Sequence, residues 1–194
     1  IAIDSFKGCL TSAEAGKAAE KGIKSINPFC HTSVIPIADG GEGLLDVLIT
    51  ATKGKYITLS AHGPLMKMAK THYGLSGNGR TAIIEMAAIS GLPLVPIEQR
   101  NPMLTTTFGT GELIKDALNK GCRNFIIGIG GSATNDAGLG MLQALGFRFL
   151  DKSGHTLGTG GQIMEAVANI DTSGIHPALR ETHFMVACDV ANPF

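Results

Sequence analysis

Apolar positions along the chain fall in short runs, and most of the runs end on glycine or on a cluster of polar residues. The opening run "IAI" reads as a strand, passes into the loop "DSFKGCL", and gives way to "TSAEAGKAAEKGIKSI". In that stretch Ala15, Ala18, Ala19, Gly22, Ile23 and Ile26 recur at helical spacing and share one face. Thr11 and Glu14 stand at the spacing of a capping box, which fixes where this helix begins. "TSVIPI" then predicts a buried strand, "ADGGEG" a loop, and Leu44, Leu45, Val47, Leu48 and Ile49 a second helix. Strand, loop and helix thus occur twice in succession.

From about Tyr56 the pattern shortens. "KYITLSAHGPLMKMAKTHYGL" and "RTAIIEMA" contain strand-like pieces separated by Gly-Pro and Gly-rich turns, which predicts antiparallel or mixed pairing and a second domain from about Ala61. A helix is expected over residues 111–120, with Thr110 as N-cap, Leu113, Ile114, Ala117 and Leu118 as its stripe, and Gly121 just past its end. "RNFIIGI" predicts a buried strand, a helix ending at Gly146 follows the next Gly-rich loop, and "FRFL" and "THFMVACDV" predict two more strands. The pattern is that of an α/β protein, with its 26 glycines as punctuation rather than as a repeat or linker.

Composition narrows the partners. Lys plus Arg and Asp plus Glu number 16 each, so the net charge is zero and nothing favours nucleic acid or an anionic membrane surface. No apolar run approaches the roughly eighteen residues of a membrane span, and the chain opens on no signal-peptide pattern, so a cytoplasmic location is expected. Cys9, Cys30, Cys122 and Cys188 are widely spaced without a C-x-x-C pair, which predicts reduced and mostly buried thiols. The six histidines show neither HExxH nor His-x-His and are expected to be surface or packed residues. The chain starts inside an apolar run with no Met and stops just after a predicted strand, from which a missing C-terminal region is expected.

Polar residues gather at four turns that follow predicted strands: Asp4, Ser5 and Lys7; Asp39 to Gly43; Gly130 to Asp136; and Asp189. In an open α/β sheet the carboxyl ends of parallel strands form the ligand crevice, so these turns are expected to converge on one cleft. Lys7 lies before a helix N-terminus and suits a phosphate or carboxylate, or is a solvated loop lysine. Asp39 and Glu42 flank glycines at which a backbone can approach a ligand; they would hold Mg²⁺ or orient a hydroxyl, or Asp39 would simply cap the next helix. Arg100, beside Asn101, has the fork that clamps a carboxylate in bidentate fashion, or is a surface arginine.

In "FIIGIGGSATNDAGLGML", Gly128, Gly130 and Ala133 formally satisfy G-x-G-x-x-A, with Asp151 about 20 residues on, so an NAD(P)-dependent oxidoreductase is a competing reading. Against it, Gly131, Ser132, Thr134, Asn135 and Asp136 are poor formers of a first helical turn, so the helix is expected to start later. Asp136 would also sit beside a pyrophosphate without a countercharge, and makes more sense if a metal ion accompanies the phosphates or if it faces the sugar or the substrate.

Taken in order, "DSFKG", "PIADGGEG", "IEMAAISGL", "RNPMLTTTFGTGELI", "GIGGSATNDAGLGML" and "ACDVANP" resemble the bacterial glycerate kinase family, which phosphorylates D-glycerate with ATP. The resemblance runs over all 194 residues, and Ile3 stands where the family usually has proline. It implies the N-terminal half of a two-domain protein: a Rossmann-like parallel-sheet domain beginning in residues 1–60, and an inserted α/β domain with a mixed sheet over 61–194. Its cleft would bind ATP and Mg²⁺. In that frame Asp39, Asp189 and Lys7 are the catalytic candidates, with Asp39 or Asp189 holding Mg²⁺, and Ser5, Arg100, Asn135 and Asp136 contact the substrate. Gly40, Gly41, Gly130, Gly131, Ser132 and Thr134 cradle phosphate or nucleotide. The product is expected to be 2-phosphoglycerate, the 194-residue segment alone is expected to be inactive, and a homodimer stays open. A non-catalytic small-acid binding domain is the other alternative.

Overall fold

The fold is taken from a computed structural model and described for residues 1–6, 8–38, 40–41 and 43–188. Lys7, Asp39, Glu42 and Asp189 lie outside the described residues. Helices α1 (Ser12–Ile26) and α2 (Leu44–Thr52) come first, followed by strands β1 (Lys55–His62), β2 (Met68–Leu75) and β3 (Thr81–Glu85). A short helix α3 (Ala87–Ser90) leads to α4 (Phe108–Asn119), β4 (Asn124–Gly128) and α5 (Leu139–Ala144). Strands β5 (Arg148–Leu150), β6 (Asn169–Asp171) and β7 (His183–Ala187) follow, with short 3₁₀ turns among them.

The expected mixed pairing is present. Five strands form one sheet in the order β1-β2-β3-β4-β7. β1, β2 and β3 pair antiparallel, and β3, β4 and β7 pair parallel. "FRFL" forms a strand but not in this sheet, because β5 pairs with β6 in a separate two-stranded ribbon.

Side chains on a strand alternate between faces, and the run "TAIIE" shows the consequence. Ile83 packs with Leu45 and Ile49 of α2 on one side. Ala82 and Ile84 join Leu113, Ile114, Ala117 and Leu118 of α4 in the main core. The sheet is covered on both faces here, which is why β3 carries an unbroken apolar run and not an alternating one. Gly74 makes this close layering possible, since a Cβ there would meet Ile49 Cγ1 at 3.0 Å as well as Leu45 Cδ1. Each large side chain fully buried in these layers contributes about 1.5–3 kcal/mol.

Tyr73 is fully buried in the main core, and its hydroxyl donates to Asp116 Oδ2 at 2.8 Å. Burial, followed by this bond and the Asp116 charge, pushes the phenol well above its ordinary range. Tyr73→Phe removes one buried hydrogen bond to a charged group and is expected to cost about 1.5–3 kcal/mol. Urea unfolding measures that loss directly, and a cost near zero would mean that Asp116 is satisfied by Lys120 alone.

Several expectations need correction. Residues 1–3 and 32–37 form no ladder: they are joined through Ile35 N–H to Ile1 O and the Ile1 amino group to Ser33 O. An isolated pair of short strands is marginal, and here Ser12 ties both segments to α1, donating to Ile3 O and accepting from Ile37 N–H. The capping box at Thr11 and Glu14 is present, but only the first turns of the α1 stripe are covered. Ser12, Ala15 and Gly16 are buried, whereas Ile26 is 88% exposed.

Helix α4 begins at Phe108, three residues before the expected start. Thr110 is therefore inside it, its hydroxyl 2.8 Å from that of Ser90. Of the four cysteines only Cys122 is buried, not most of them. β7, the last strand of the sheet among the described residues, exposes Phe184, Met185 and Val186.

Candidate active site

The parallel strands β3, β4 and β7 end side by side, with Glu85 in register with Gly128 and Gly128 with Ala187. Two of the turns singled out in the sequence, the one holding Gly40–Gly41 and the one beginning at Gly130, meet at this row. The Gly40–Gly41 backbone lies directly on it: a Cβ on Gly128 would stand 2.6 Å from Gly40 O, and one on Gly130 would stand 2.8 Å from Gly41 Cα. Gly40 in turn lies against β7, its own Cβ position 2.8 Å from Ala187 O. Gly40 adopts φ +89°, a left-handed conformation natural only to glycine. Here two loops and a strand end stack backbone against backbone.

Beyond Gly128 the chain makes an open turn. Gly131 has φ +72°, Leu92 N–H donates to Gly131 O, and Ala133 N–H donates to Ser90 O, so the turn is sewn to the segment after α3. Ser132 Oγ accepts from Thr134 N–H at 3.0 Å and lies 2.7 Å from Thr134 Oγ1. The next helix, α5, does not start until Leu139. The expected late start is thus present, and the G-x-G-x-x-A glycines do not open a helix whose N-terminus could receive a pyrophosphate.

Arg100 and Asn101 meet this turn. With Leu92, Val95 and Pro102 on one side and Ser132, Ala133 and Thr134 on the other, they line a cavity of about 260 Å³. Arg100 Nε donates to Val95 O at 3.2 Å, which orients the exposed guanidinium at the rim. Basic fork, hydroxyls and apolar wall together suit a small carboxylate with hydroxyl substituents.

Ser5 belongs to a second cavity of about 440 Å³, between the loop before α1 and the α2 face, which also takes in Asp46, His72 and Glu85. Ser5 N–H is bonded to Asp4 Oδ1. Asn135 is exposed, its carbonyl oxygen turned toward Gly161.

Asp136, expected to face a sugar or substrate, is 1% exposed. Its Oδ2 accepts from Thr107 N–H (2.8 Å), Thr107 Oγ1 (3.0 Å), Thr106 Oγ1 (3.1 Å) and Gly140 N–H (3.2 Å). Oδ1 accepts from Gly138 N–H and lies 3.1 Å from Thr107 Oγ1. Thr106 and Thr107 of the run "TTT" and the Gly138 and Gly140 amides supply these partners, so the buried carboxylate has its hydrogen bonds without meeting water.

Glu85 is a further polar residue at the strand ends. It ends β3, and its Oε1 accepts from Leu45 N–H at 2.8 Å; a second backbone bond comes from Gly43. Burial is the largest influence and holds its carboxyl above the ordinary value of 4.5, against the lowering effect of those two bonds. A group with a raised folded value favours the fold below pH 4.5, and that contribution is lost as pH rises through the raised value. Glu85→Gln is therefore expected to flatten the decline of stability above pH 4.5, as followed by urea midpoints at several pH values. An unchanged slope would place the decline elsewhere. The signal for Glu85 was present in the sequence as a lone acid closing an apolar strand.

Asp39, Asp189 and Lys7, the catalytic candidates, lie outside the described residues. Among the described residues, no three of His, Cys, Asp and Glu are grouped to hold a metal. No helix among them is long and apolar enough to cross a membrane.

Fold and site together define a mixed α/β protein whose glycine-rich turns gather at the carboxyl ends of parallel strands. A family model described as the glycerate kinase family matches residues 1–194, and the chain belongs to that family. It is 53% identical over 193 residues to a glycerate kinase of Bacillus subtilis (strain 168), covering all of this chain and 50% of that protein. It is 49% identical over 193 residues to a glycerate 2-kinase of Escherichia coli (strain K12), covering all of this chain and 51% of that protein. A crystal structure from Salmonella typhimurium LT2, assigned as glycerate kinase 2, superposes with a TM-score of 0.88 at 48% identity, over 98% of this chain and 51% of that one. The chain spans about half the length of these relatives.

Proposed function

We propose that the full-length protein transfers the γ-phosphoryl group of ATP to D-glycerate, giving 2-phosphoglycerate. The observation that carries this reading is the stacking of Gly40–Gly41 on Gly128 and Gly130 beside the Arg100 cavity. In this reading the glycine backbones would meet phosphate and the Arg100 guanidinium would meet the substrate carboxylate. The names of the relatives support the substrate and, for the Escherichia coli protein, the 2-position.

In the reaction a glycerate hydroxyl oxygen bonds to the γ-phosphorus, the bond from that phosphorus to the ADP oxygen breaks, and the hydroxyl proton passes to a carboxylate. Such transfer depends on positioning and on neutralising charge. Arg100 would hold the glycerate carboxylate, with Ser132 and Thr134 presenting hydroxyls to it. Gly40, Gly41, Gly130 and Gly131 would let their backbones line the phosphates, Lys7 would add a cation, and Ser5 would reach the site from the neighbouring cavity. Asn135 would approach from the rim, while Asp136 would act by fixing the turn from behind. Asp39 and Asp189 would divide the roles of proton acceptor and Mg²⁺ ligand, the ion supplying charge neutralisation when bound. We assign residues 1–60 to a Rossmann-like unit and 61–194 to an inserted α/β unit, with β1 straddling the junction, in a cytoplasmic enzyme.

The test is ³¹P NMR of D-glycerate and Mg-ATP with the full-length protein. A new resonance split by a single proton identifies 2-phosphoglycerate, and splitting by a methylene pair identifies the 3-isomer. No new resonance would remove the kinase reading. In the same protein Arg100→Ala is expected to raise KM for glycerate about 10- to 100-fold, the loss of a charged hydrogen bond, while KM for ATP stays level. An unchanged glycerate KM would remove Arg100 from the clamp.

A further inference from the structure

We propose that Glu85 is a positioning residue: from the end of β3 it caps the first turn of α2 and so fixes the Gly40–Gly41 backbone over the ends of β4 and β7. A helix leaves its first N–H groups without intrahelical partners. In α2 the N-cap is Gly43, at φ +93°, with no side chain to accept from them. The missing acceptor is supplied from the sheet, by Glu85 Oε1 to Leu45 N–H and by the bond to Gly43. Gly43 is two residues from Gly41, so whatever fixes the helix start also fixes the glycines before it.

The arrangement across the sheet makes the coupling direct. Glu85, Gly128 and Ala187 occupy one row, and Met86 N–H donates to Gly128 O at 2.9 Å. The carboxylate therefore holds α2 from the strand next to the one on which Gly40 rests. Leu44 closes the same gap, since a Cβ on Gly128 would stand 2.8 Å from Leu44 Cδ2 as well as 2.6 Å from Gly40 O. A cap from within the loop, an aspartate or serine at position 43, would require a side chain at φ +93°. A cap from β3 leaves the loop all glycine at its point of contact. Desolvation of Glu85 is the cost of this solution, offset by the two backbone donors.

Two readouts test the proposal, the first independent of the kinase reading and the second resting on it. Hydrogen exchange in the full-length protein should show the Gly43–Val47 amides exchanging about tenfold faster in Glu85→Ala, the scale of a lost helix cap, with α4 unchanged. Glu85→Gln keeps an acceptor oxygen in place and should retain protection, whereas Glu85→Asp, one methylene shorter, should lose it even if Glu85→Ala fails to fold. Phosphoryl transfer should fall at least about tenfold in kcat for Glu85→Asp and stay within about twofold for Glu85→Gln. Unchanged exchange in Glu85→Asp overturns the proposal whatever the activity. A kcat lost in Glu85→Gln with exchange unchanged overturns it too, because the carboxylate would then be moving a proton. If the full-length protein makes no phosphoglycerate, the proposed function fails and the exchange result still decides this one.

Discussion

Asp136→Asn is expected to cost the fold about 3 kcal/mol. The substitution keeps the size of the side chain but turns one acceptor into a donor among Thr106, Thr107, Gly138 and Gly140, which all point donors inward. With Asp136 1% exposed, no water replaces the lost bonds. In a chain of this size the loss should lower the melting temperature by about 6–12 °C, read by calorimetry or urea unfolding. Thr107→Val should show part of the same loss and combine with Asp136→Asn less than additively, since both cut one network. A melting temperature within a degree or two of the parent would mean that the carboxylate does not hold the turn.

The second large effect is on turnover. Gly128→Ala would put a methyl 2.6 Å from Gly40 O and 2.8 Å from Leu44 Cδ2, so the 40–41 backbone must move off the strand ends. A shift of about an ångström among groups that position a reaction costs on the order of 100-fold in rate. The expected result in the full-length protein is kcat reduced about 100-fold with the far-UV circular dichroism unaltered. Gly22→Ala is the control: nothing lies within 4 Å of the added carbon, and alanine favours the helix, so activity should be retained. Equal activity in Gly128→Ala would separate the glycine stack from the chemistry.

Features determined by neighbouring residues were readable without coordinates. The capping box needs only Thr11 and Glu14, and the late start of α5 follows from the poor helix formers between Gly131 and Asp136. The mixed sheet from Lys55 onward followed from turn chemistry, and the meeting of the glycine turns followed from strand order. What failed depended on distant partners. "IAI" and "TSVIPI" have strand composition, yet a strand requires an edge to pair with, and composition says nothing of where one is. The burial of Asp136 was not legible because Thr106 and Thr107, which supply much of its hydrogen bonding, sit some thirty positions away in "TTT". Glu85 was overlooked for the same reason: the helix it caps begins forty residues earlier.

The apolar surface of β7 bears on how this segment behaves while it is being made. Among the described residues β7 pairs with β4, which precedes it in the chain, so that partner is already made when Phe184, Met185 and Val186 emerge from the ribosome. A late-arriving strand with an exposed apolar face is a substrate for holdase chaperones and, at high concentration, a template for edge-to-edge association between copies. Yield in recombinant expression of residues 1–194 should therefore depend on temperature and chaperone supply more steeply than the well-buried layer between β3 and α4 would suggest.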